Sequence, residues 1–319
     1  MRPKELIVTA IVPVEPGGDP GACLEALRAT QWPAQALEIL VVRGEQPSKQ
    51  RNVAAASAKG EWLLFLDSDA RPSQDLISRL LESADAFQAD VVGGPNLPPL
   101  QESVLGGAFS AVLGSFFGSM SARARYASIG KARLTTEKEL ILCNMAVTRS
   151  RFLQLGGFRE DLYPNEENEF LNRLQARGGR LAYDPLATVR RPRRHSVAAF
   201  ALQALRYGRG RMRQMKANFF PGDLIHLLPL AALSYLCAVP FLYPSHPMFL
   251  APLLAYAAAD LVACLEILAR GGGHRSCLLA LVLFPLRHLS YGLGLAAGLT
   301  KAGRRGSPVA PITIEKIRK

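Results

Sequence analysis

The stretch Glu61-Trp62-Leu63-Leu64-Phe65-Leu66-Asp67-Ser68-Asp69 decides the fold. An apolar run of this length with no period-two alternation reads as a strand buried on both faces, the situation of a parallel sheet with helices on either side. Asp67-Ser68-Asp69 follows at once, which puts two carboxylates at the carboxyl end of that strand. Upstream, Leu6 to Val12 reads as a first strand, a helix opens at Asp19 and Pro20, and Glu38 to Val42 reads as a second strand. A helix starting at Ser48 as N-cap runs through Ala54, Ala55 and Ala56 to Gly60. Downstream, a helix follows Ser73, and a short strand at Asp90 to Val92 ends in Gly93-Gly94-Pro95. The first hundred residues thus predict a parallel, doubly wound α/β half, whose ligands bind at the carboxyl edge of the sheet.

The rest of the chain is organised differently. A Gly/Ser/Phe-rich stretch from Leu105 to Met120 leads into a loop with Arg123, Arg125, Lys131 and Arg133, expected to be flexible or interfacial. A strand at Leu140 to Val147 precedes Gly156-Gly157-Phe158, and Asn165 caps a helix that carries Glu166, Glu167 and Glu169 in its first turn. After Arg193-Arg194-His195, apolar Phe200, Leu202 and Leu205 are mixed with Arg206, Arg209, Arg211, Arg213 and Lys216, the composition of a helix lying on anionic headgroups. Three apolar stretches follow, Leu224 to Tyr243, Met248 to Leu268 and Cys277 to Leu299, each close to the roughly 20 residues needed to span a bilayer.

The expected divisions are therefore an α/β domain over 1–193, a basic amphipathic interfacial helix over 194–223, a membrane region of two to three helices over 224–300 and a basic tail over 301–319. The third stretch is the doubtful span, because Arg287 and His288 interrupt it and because crossing would put Lys301, Arg304 and Arg305 on the outer side. The formal net charge of +12 suits a membrane surface or nucleic acid. Its densest run adjoins apolar segments and lacks interleaved stacking aromatics, which favours the membrane and argues against nucleic acid. The five cysteines have no metal-like or redox-like spacing and read as reduced filler.

Three groups of residues carry chemistry. Asp67 and Asp69 offer hard oxygen ligands suited to Mg²⁺ or Mn²⁺, with substrate phosphates completing the shell; a solvated turn is the competing reading, and the strand-end position favours function. Glu166 and Glu167 are either helix-dipole partners or a base beside the ligand. Gln203, Arg206 and Tyr207 share a helix face, offering an amide, a guanidinium and a ring.

Together these segments resemble the family 2 glycosyltransferases of the GT-A fold over approximately residues 5 to 215. The resemblance is carried by Ile11-Val12-Pro13-Val14, Lys49-Gln50-Arg51-Asn52, Gly60-Glu61-Trp62, Asp67-Ser68-Asp69, Gly156-Gly157-Phe158, Asn165-Glu166-Glu167 and Gln203 to Tyr207. It implies a Rossmann-like, mostly parallel sheet followed by C-terminal transmembrane helices, as in bacterial exopolysaccharide or lipid-linked-oligosaccharide enzymes. It implies that Asp69 holds the metal, that Asp67 holds metal or nucleotide ribose, and that Glu167 stands at the general-base position with Glu166 beside it. Gln203, Arg206 and Tyr207 look like the family's Gln-x-x-Arg-Trp element with Tyr for Trp. Pro13, Glu15, Arg43 and Arg51 are implied donor contacts, although Arg43-Gly44-Glu45 stands where the family usually has an acidic pair.

The implied activity is inverting, metal-dependent transfer from a nucleotide sugar, expected to be a UDP-sugar, to a lipid-linked acceptor, in synthesis of a cell-surface polysaccharide or glycolipid. The expected location is the cytosolic face of a bacterial inner membrane. A polyprenyl-phosphate glycosyl synthase and a non-catalytic membrane scaffold are the alternatives; a nucleotidyltransferase is disfavoured because the loop after the first strand has no basic residue.

Overall fold

The structure, a computed structural model, describes residues 6–300 and 311–319. In chain order the elements are β1 (Val8–Val14), α1 (Gly21–Arg28), β2 (Leu37–Arg43), α2 (Pro47–Ser57), β3 (Trp62–Leu66), β4 (Arg71–Pro72), α3 (Leu76–Phe87), β5 (Val91–Gly93) and β6 (Asn96–Leu97). The middle contains α4 (Val104–Gly114), α5 (Phe116–Ser119), β7 (Arg133–Leu134), β8 (Asn144–Thr148), α6 (Arg149–Gln154), α7 (Glu166–Gln175), β9 (Leu181–Tyr183) and β10 (Val189–Arg190). The remainder is α8 (Val197–Ala217), α9 (Leu228–Leu242), α10 (Ala251–Ala269), α11 (His274–Leu299) and β11 (Thr313–Ile317).

The described residues divide into two units, the first made of 6–99, 124–192 and 311–319 and the second of 100–123 and 193–300. The first is built on a sheet ordered β11-β2-β1-β3-β8-β5-β9-β7 among the described residues. β1 pairs in parallel with both β2 and β3, as the alternating strands and helices of the first hundred residues predict. The sheet is mixed beyond them: β8 enters antiparallel between β3 and β5, and β7 and β11 run antiparallel at the two edges. Five strands still share one direction, because β5 and β9 are restored to it by the reversal at β8.

Both faces of the sheet are covered, and this is legible strand by strand. Val8, Ala10, Val12 and Val14 of β1 pack into one core with Trp62, Leu64 and Leu66 of β3, while Ile11, Leu63 and Phe65 point into the other. Phe65, Phe152, Phe158 and Phe170 form a ring cluster with centroids 4.9 to 5.4 Å apart in the second core. Gly156 and Gly157 adopt φ of +78° and +70°, which turns the chain so that Phe158 enters that cluster. α2 begins at Pro47 with Gln46 as N-cap, so Ser48, the expected N-cap, lies inside the first turn; proline at N1 is what moves the start forward.

A second, three-stranded sheet, β4-β10-β6, bears directly on the site. β4 begins two residues after Asp69 and pairs antiparallel with β10, Arg71 opposite Arg190. At the far edge of the main sheet, β11 lies in what the sequence reads as a basic tail. Its Lys316 Nζ donates to Glu38 Oε1 at 2.7 Å, and Glu38 also accepts from Thr9 Oγ1 at 2.8 Å. Residues 301–310, with Lys301, Arg304 and Arg305, lie outside the described residues.

In the second unit, three helical segments are long and apolar enough to cross a membrane: Gly222–Leu242, Pro247–Ala269 and His274–Leu299. The polar residues of the last have partners. Arg287 Nε donates to Gly118 O at 2.8 Å, and His288 lies between Tyr256 Oη at 2.7 Å and Phe117 O at 3.1 Å. Those carbonyls belong to α5, bent 73° from α4, so the charge inside α11 answers the carboxyl end of a short helix within the same unit. α8 packs along α11, and its Arg211 is buried against Gln214 Oε1 at 2.9 Å with Asp223 3.7 Å away; it is held by protein, unlike the headgroup-facing role its composition predicts. Four of the five cysteines are buried and free, and Cys237 is exposed.

Candidate active site

The register of β1, β2 and β3 brings their carboxyl ends to one edge of the first unit, with Val14 opposite Arg43 and Ile11 opposite Phe65. Pro13 is buried in β1, Glu15 is exposed just past it, and Asp67 follows β3 at the same level. Arg43, an implied donor contact, has its Nη1 on Gly18 O at 3.0 Å, where it also braces the turn between β1 and α1.

The residues of Lys49-Gln50-Arg51-Asn52 divide the work of assembling this edge. Gln50 Nε2 donates to Val14 O at 3.0 Å and Val42 O at 2.5 Å, fixing the ends of two strands. Asn52 exchanges hydrogen bonds with the backbone of Phe158, accepting from its N at 2.8 Å and donating to its O at 2.9 Å. Arg51 reaches between them. Its Nη2 donates to Asp67 Oδ1 at 2.8 Å, and its Nη1 lies 3.4 Å from Glu166 Oε1.

Arg191 is the residue that the sequence does not single out. Its Nη1 donates to Asp67 Oδ2 at 2.5 Å and its Nε to Asp69 Oδ1 at 2.5 Å, so one guanidinium bridges the two carboxylates of Asp67-Ser68-Asp69. The backbone delivers it there: Arg191 N donates to Leu97 O at 2.9 Å, continuing the pairing of β10 with β6. Burial opposes its charge, but the two aspartates hold its pKa well above the ordinary arginine value. The signal available in the sequence was Arg190-Arg191 next to the basic run, a pattern that reads as membrane-facing charge.

This arrangement does not fit the expected Mg²⁺ or Mn²⁺. Both oxygens of Asp67 and one of Asp69 are engaged by guanidinium groups, and among the described residues no third His, Cys, Asp or Glu completes a metal-binding cluster. Two guanidiniums already match the two carboxylates, so a divalent ion would have to displace Arg191 from both of them.

At the start of α7 the two glutamates separate. Glu166 is buried, and burial first, the neighbouring Glu167 second, push its pKa up to about 7 against the pull of Arg51. Glu167 keeps its side chain 12% exposed and faces Arg125 Nη1 at 3.7 Å, with Asn168 Nδ2 donating to its Oε1 at 3.2 Å. Arg125, expected in a flexible loop, is fixed by donating to Lys138 O at 2.7 Å and Glu137 O at 2.6 Å. Asn165 is the N-cap residue of α7, but its Oδ1 accepts from the Asn168 side chain at 2.6 Å rather than from the helix backbone. Glu169 pairs with Arg173 at 2.9 Å, and Arg173 holds Gly157 O at 2.8 Å, which ties the helix to the turn before Phe158.

Carboxylates and guanidiniums thus gather at the carboxyl edge of a doubly wound sheet, where such sheets bind their ligands, with acids on a following helix. Residues 22–133 match the family model described as glycosyl transferase family 2. The chain carries a family 2 glycosyltransferase domain. Its activity is glycosyl transfer, and the matched segment contains Arg51, Asp67, Asp69 and Arg125. A comparison with curated proteins finds no match. Among solved structures, the glycosyltransferase chain is similar to the mannosyltransferase PcManGT from Pyrobaculum calidifontis in complex with GDP-Man and Mn²⁺, with 18% identity and a TM-score of 0.55, over 93% of this chain and 88% of that one. It is also similar to S. aureus TarS 1-349, with 13% identity and a TM-score of 0.44, over 91% of each chain. The first of these likenesses supports the GT-A fold.

Gln203, Arg206 and Tyr207 lie on α8 in the second unit. Gln203 Nε2 donates to Tyr207 Oη at 3.1 Å across one helical turn, and Arg206 is exposed.

Proposed function

We propose that this glycosyltransferase moves a sugar from a nucleoside-diphosphate sugar to a lipid-linked acceptor hydroxyl in a single inverting displacement, at the cytosolic face of a bacterial inner membrane, in synthesis of a cell-surface polysaccharide or glycolipid. The observation that carries this reading is the continuous chain Glu166–Arg51–Asp67–Arg191–Asp69 at the carboxyl edge of β3. Glu167 is the base: its side chain is partly exposed at the start of α7 and faces Arg125 Nη1 at 3.7 Å. It takes the acceptor proton as the acceptor oxygen attacks the anomeric carbon and the nucleoside diphosphate departs from the opposite face. Glu166, sealed in the interior, positions Arg51.

A UDP-sugar is the first donor to test. Pro13, Glu15 and Arg43 are assigned to the nucleoside end, and the resemblance assigns Gln203, Arg206 and Tyr207 to the diphosphate. The membrane-compatible helices support an acceptor carried by lipid.

The test is calorimetric titration of the detergent-solubilised protein with UDP, GDP and their sugar conjugates, followed by transfer to membrane-lipid extract with the donor that binds. The proposal expects one nucleotide series to bind and the product anomer to be inverted. Failure of both series to bind removes it. Transfer onto a lipid phosphate that survives Glu167→Gln would replace it with a polyprenyl-phosphate glycosyl synthase.

A further inference from the structure

We propose that Arg191 is the cation of the leaving-group site, supplying to the departing diphosphate the positive charge that a divalent metal would supply, so that donor binding and transfer proceed without one. The inference rests on the proposed donor, a nucleoside-diphosphate sugar, and goes beyond it in naming the group that neutralises the leaving charge.

Three observations lead to it. First, the guanidinium occupies the place between the two carboxylates where a metal would be shared, contacting each at 2.5 Å. Second, its position is built by the backbone. Arg190 pairs with Arg71 on one side and Leu97 on the other, and Arg191 N donates to Leu97 O, so the strand that follows Asp69 and the strand that precedes Arg191 are hydrogen-bonded neighbours. A surface arginine swinging onto an acidic turn would need no such support. Third, the charges balance. Asp67 and Asp69 are matched by Arg51 and Arg191, and the Arg191 side chain is still a quarter exposed. The aspartates take Nε and one Nη1 hydrogen. A guanidinium has five N–H donors in a planar fork; the Cys143 side chain is a further partner, and the Nη hydrogens left beyond these contacts are the ones assigned to phosphate oxygens.

In the step itself, the acceptor O–H forms its bond to the anomeric carbon and its proton passes to Glu167. The bond from that carbon to the β-phosphate oxygen breaks, and its electron pair stays on the oxygen. The added negative charge falls beside the guanidinium, which the aspartates hold in place and need not be reorganised. Arg191 never loses a proton; it acts as a fixed charge.

The experiment uses the full chain in detergent, with UDP and GDP as probes, in EDTA and again with Mn²⁺. The wild-type protein is expected to bind one of the two in EDTA, with affinity changed less than about threefold by Mn²⁺. Arg191→Ala should weaken that binding in EDTA by roughly 10- to 100-fold, the loss of a charge-assisted phosphate contact. Mn²⁺ should then restore part of it, because the freed carboxylates can take the ion. Arg191→Lys, which keeps the charge and loses the fork, should fall between them, and it stands in if the alanine variant does not fold. Electron paramagnetic resonance of Mn²⁺ should show tight binding to Arg191→Ala with the nucleotide and none to the wild type alone. Wild-type binding that vanishes in EDTA and returns with Mn²⁺ overturns the inference and leaves the donor reading standing. Undiminished binding by Arg191→Ala in EDTA also overturns it. Binding of neither nucleotide under any condition removes the donor reading and the inference together.

Discussion

The guanidinium of Arg51 and the carboxylate of Asp67 are 2.8 Å apart, with the Arg51 side chain only 5% exposed. This pair joins α2 to the end of β3, and through Glu166 it reaches the first turn of α7. Removing Arg51 leaves Asp67 still paired with Arg191 but takes the cation from the buried Glu166, at a cost of about 1–3 kcal/mol. Arg51→Ala should therefore lower the melting temperature and weaken nucleotide binding together. Arg51→Lys should recover stability better than binding, because a compact ammonium keeps the charge but lacks the planar fork whose two nitrogens meet Asp67 and Glu166 separately. Thermal melts and nucleotide titrations on the same preparations separate the two; an alanine variant matching wild type in both would show the pair to be idle.

Glu167 and Glu166 are adjacent in sequence and should behave oppositely. Loss of a general base costs roughly 10²- to 10⁴-fold in turnover and little in donor affinity. Glu167→Gln is expected to follow that pattern. Glu166→Gln should act on donor affinity, since it releases Arg51 without removing the base. Single-turnover transfer alongside binding isotherms checks this, and a reversed pattern would move the base to Glu166.

Much of this site was legible because it is local. β3 and its two aspartates are consecutive, the helix beginning near Ser48 carries Arg51 three residues later, and Gly156-Gly157-Phe158 announces a turn into the core. Arg191 was not, since 122 residues separate it from Asp69 and only the pairing of β4 with β10 brings them together. The antiparallel entry of β8 was hidden for the same reason: an apolar strand shows its burial in sequence but not its direction. Arg125 and Arg211 were concealed by composition, because an arginine in a basic stretch looks the same whether it faces solvent or a buried acid.

The interior carboxyl of Glu166 gives the protein a pH dependence of stability. Its pKa in the fold, about 7, lies above the unfolded value, so its favourable contribution is complete below the unfolded pKa and is lost as pH rises through about 7. The facing groups are Arg51, which moderates the loss, and Glu167, which adds to it. Wild type should lose up to about 3 kcal/mol relative to Glu166→Gln between pH 4.5 and pH 8. Melting curves of the two proteins across that range should diverge with rising pH; parallel curves would mean that Glu166 is ionised throughout.

The second unit makes a sharper structural prediction at the crossing of α8 and α11. A Cβ on Gly294 would lie 2.1 Å from Leu205 O, and a Cβ on Gly208 would lie 2.1 Å from Tyr291 O, so each helix uses a glycine to admit the backbone of the other. Alanine at either position forces the helices apart, and overpacking of this kind costs typically about 1–3 kcal/mol. Gly107→Ala is the control, since its Cβ would meet only Ser276 Oγ at an ordinary 3.5 Å. In detergent melts Gly294→Ala and Gly208→Ala should each be destabilised while Gly107→Ala stays near wild type. The double variant Gly208→Ala/Gly294→Ala should lose less than the sum of the singles, because helices separated by the first methyl have already made part of the room for the second.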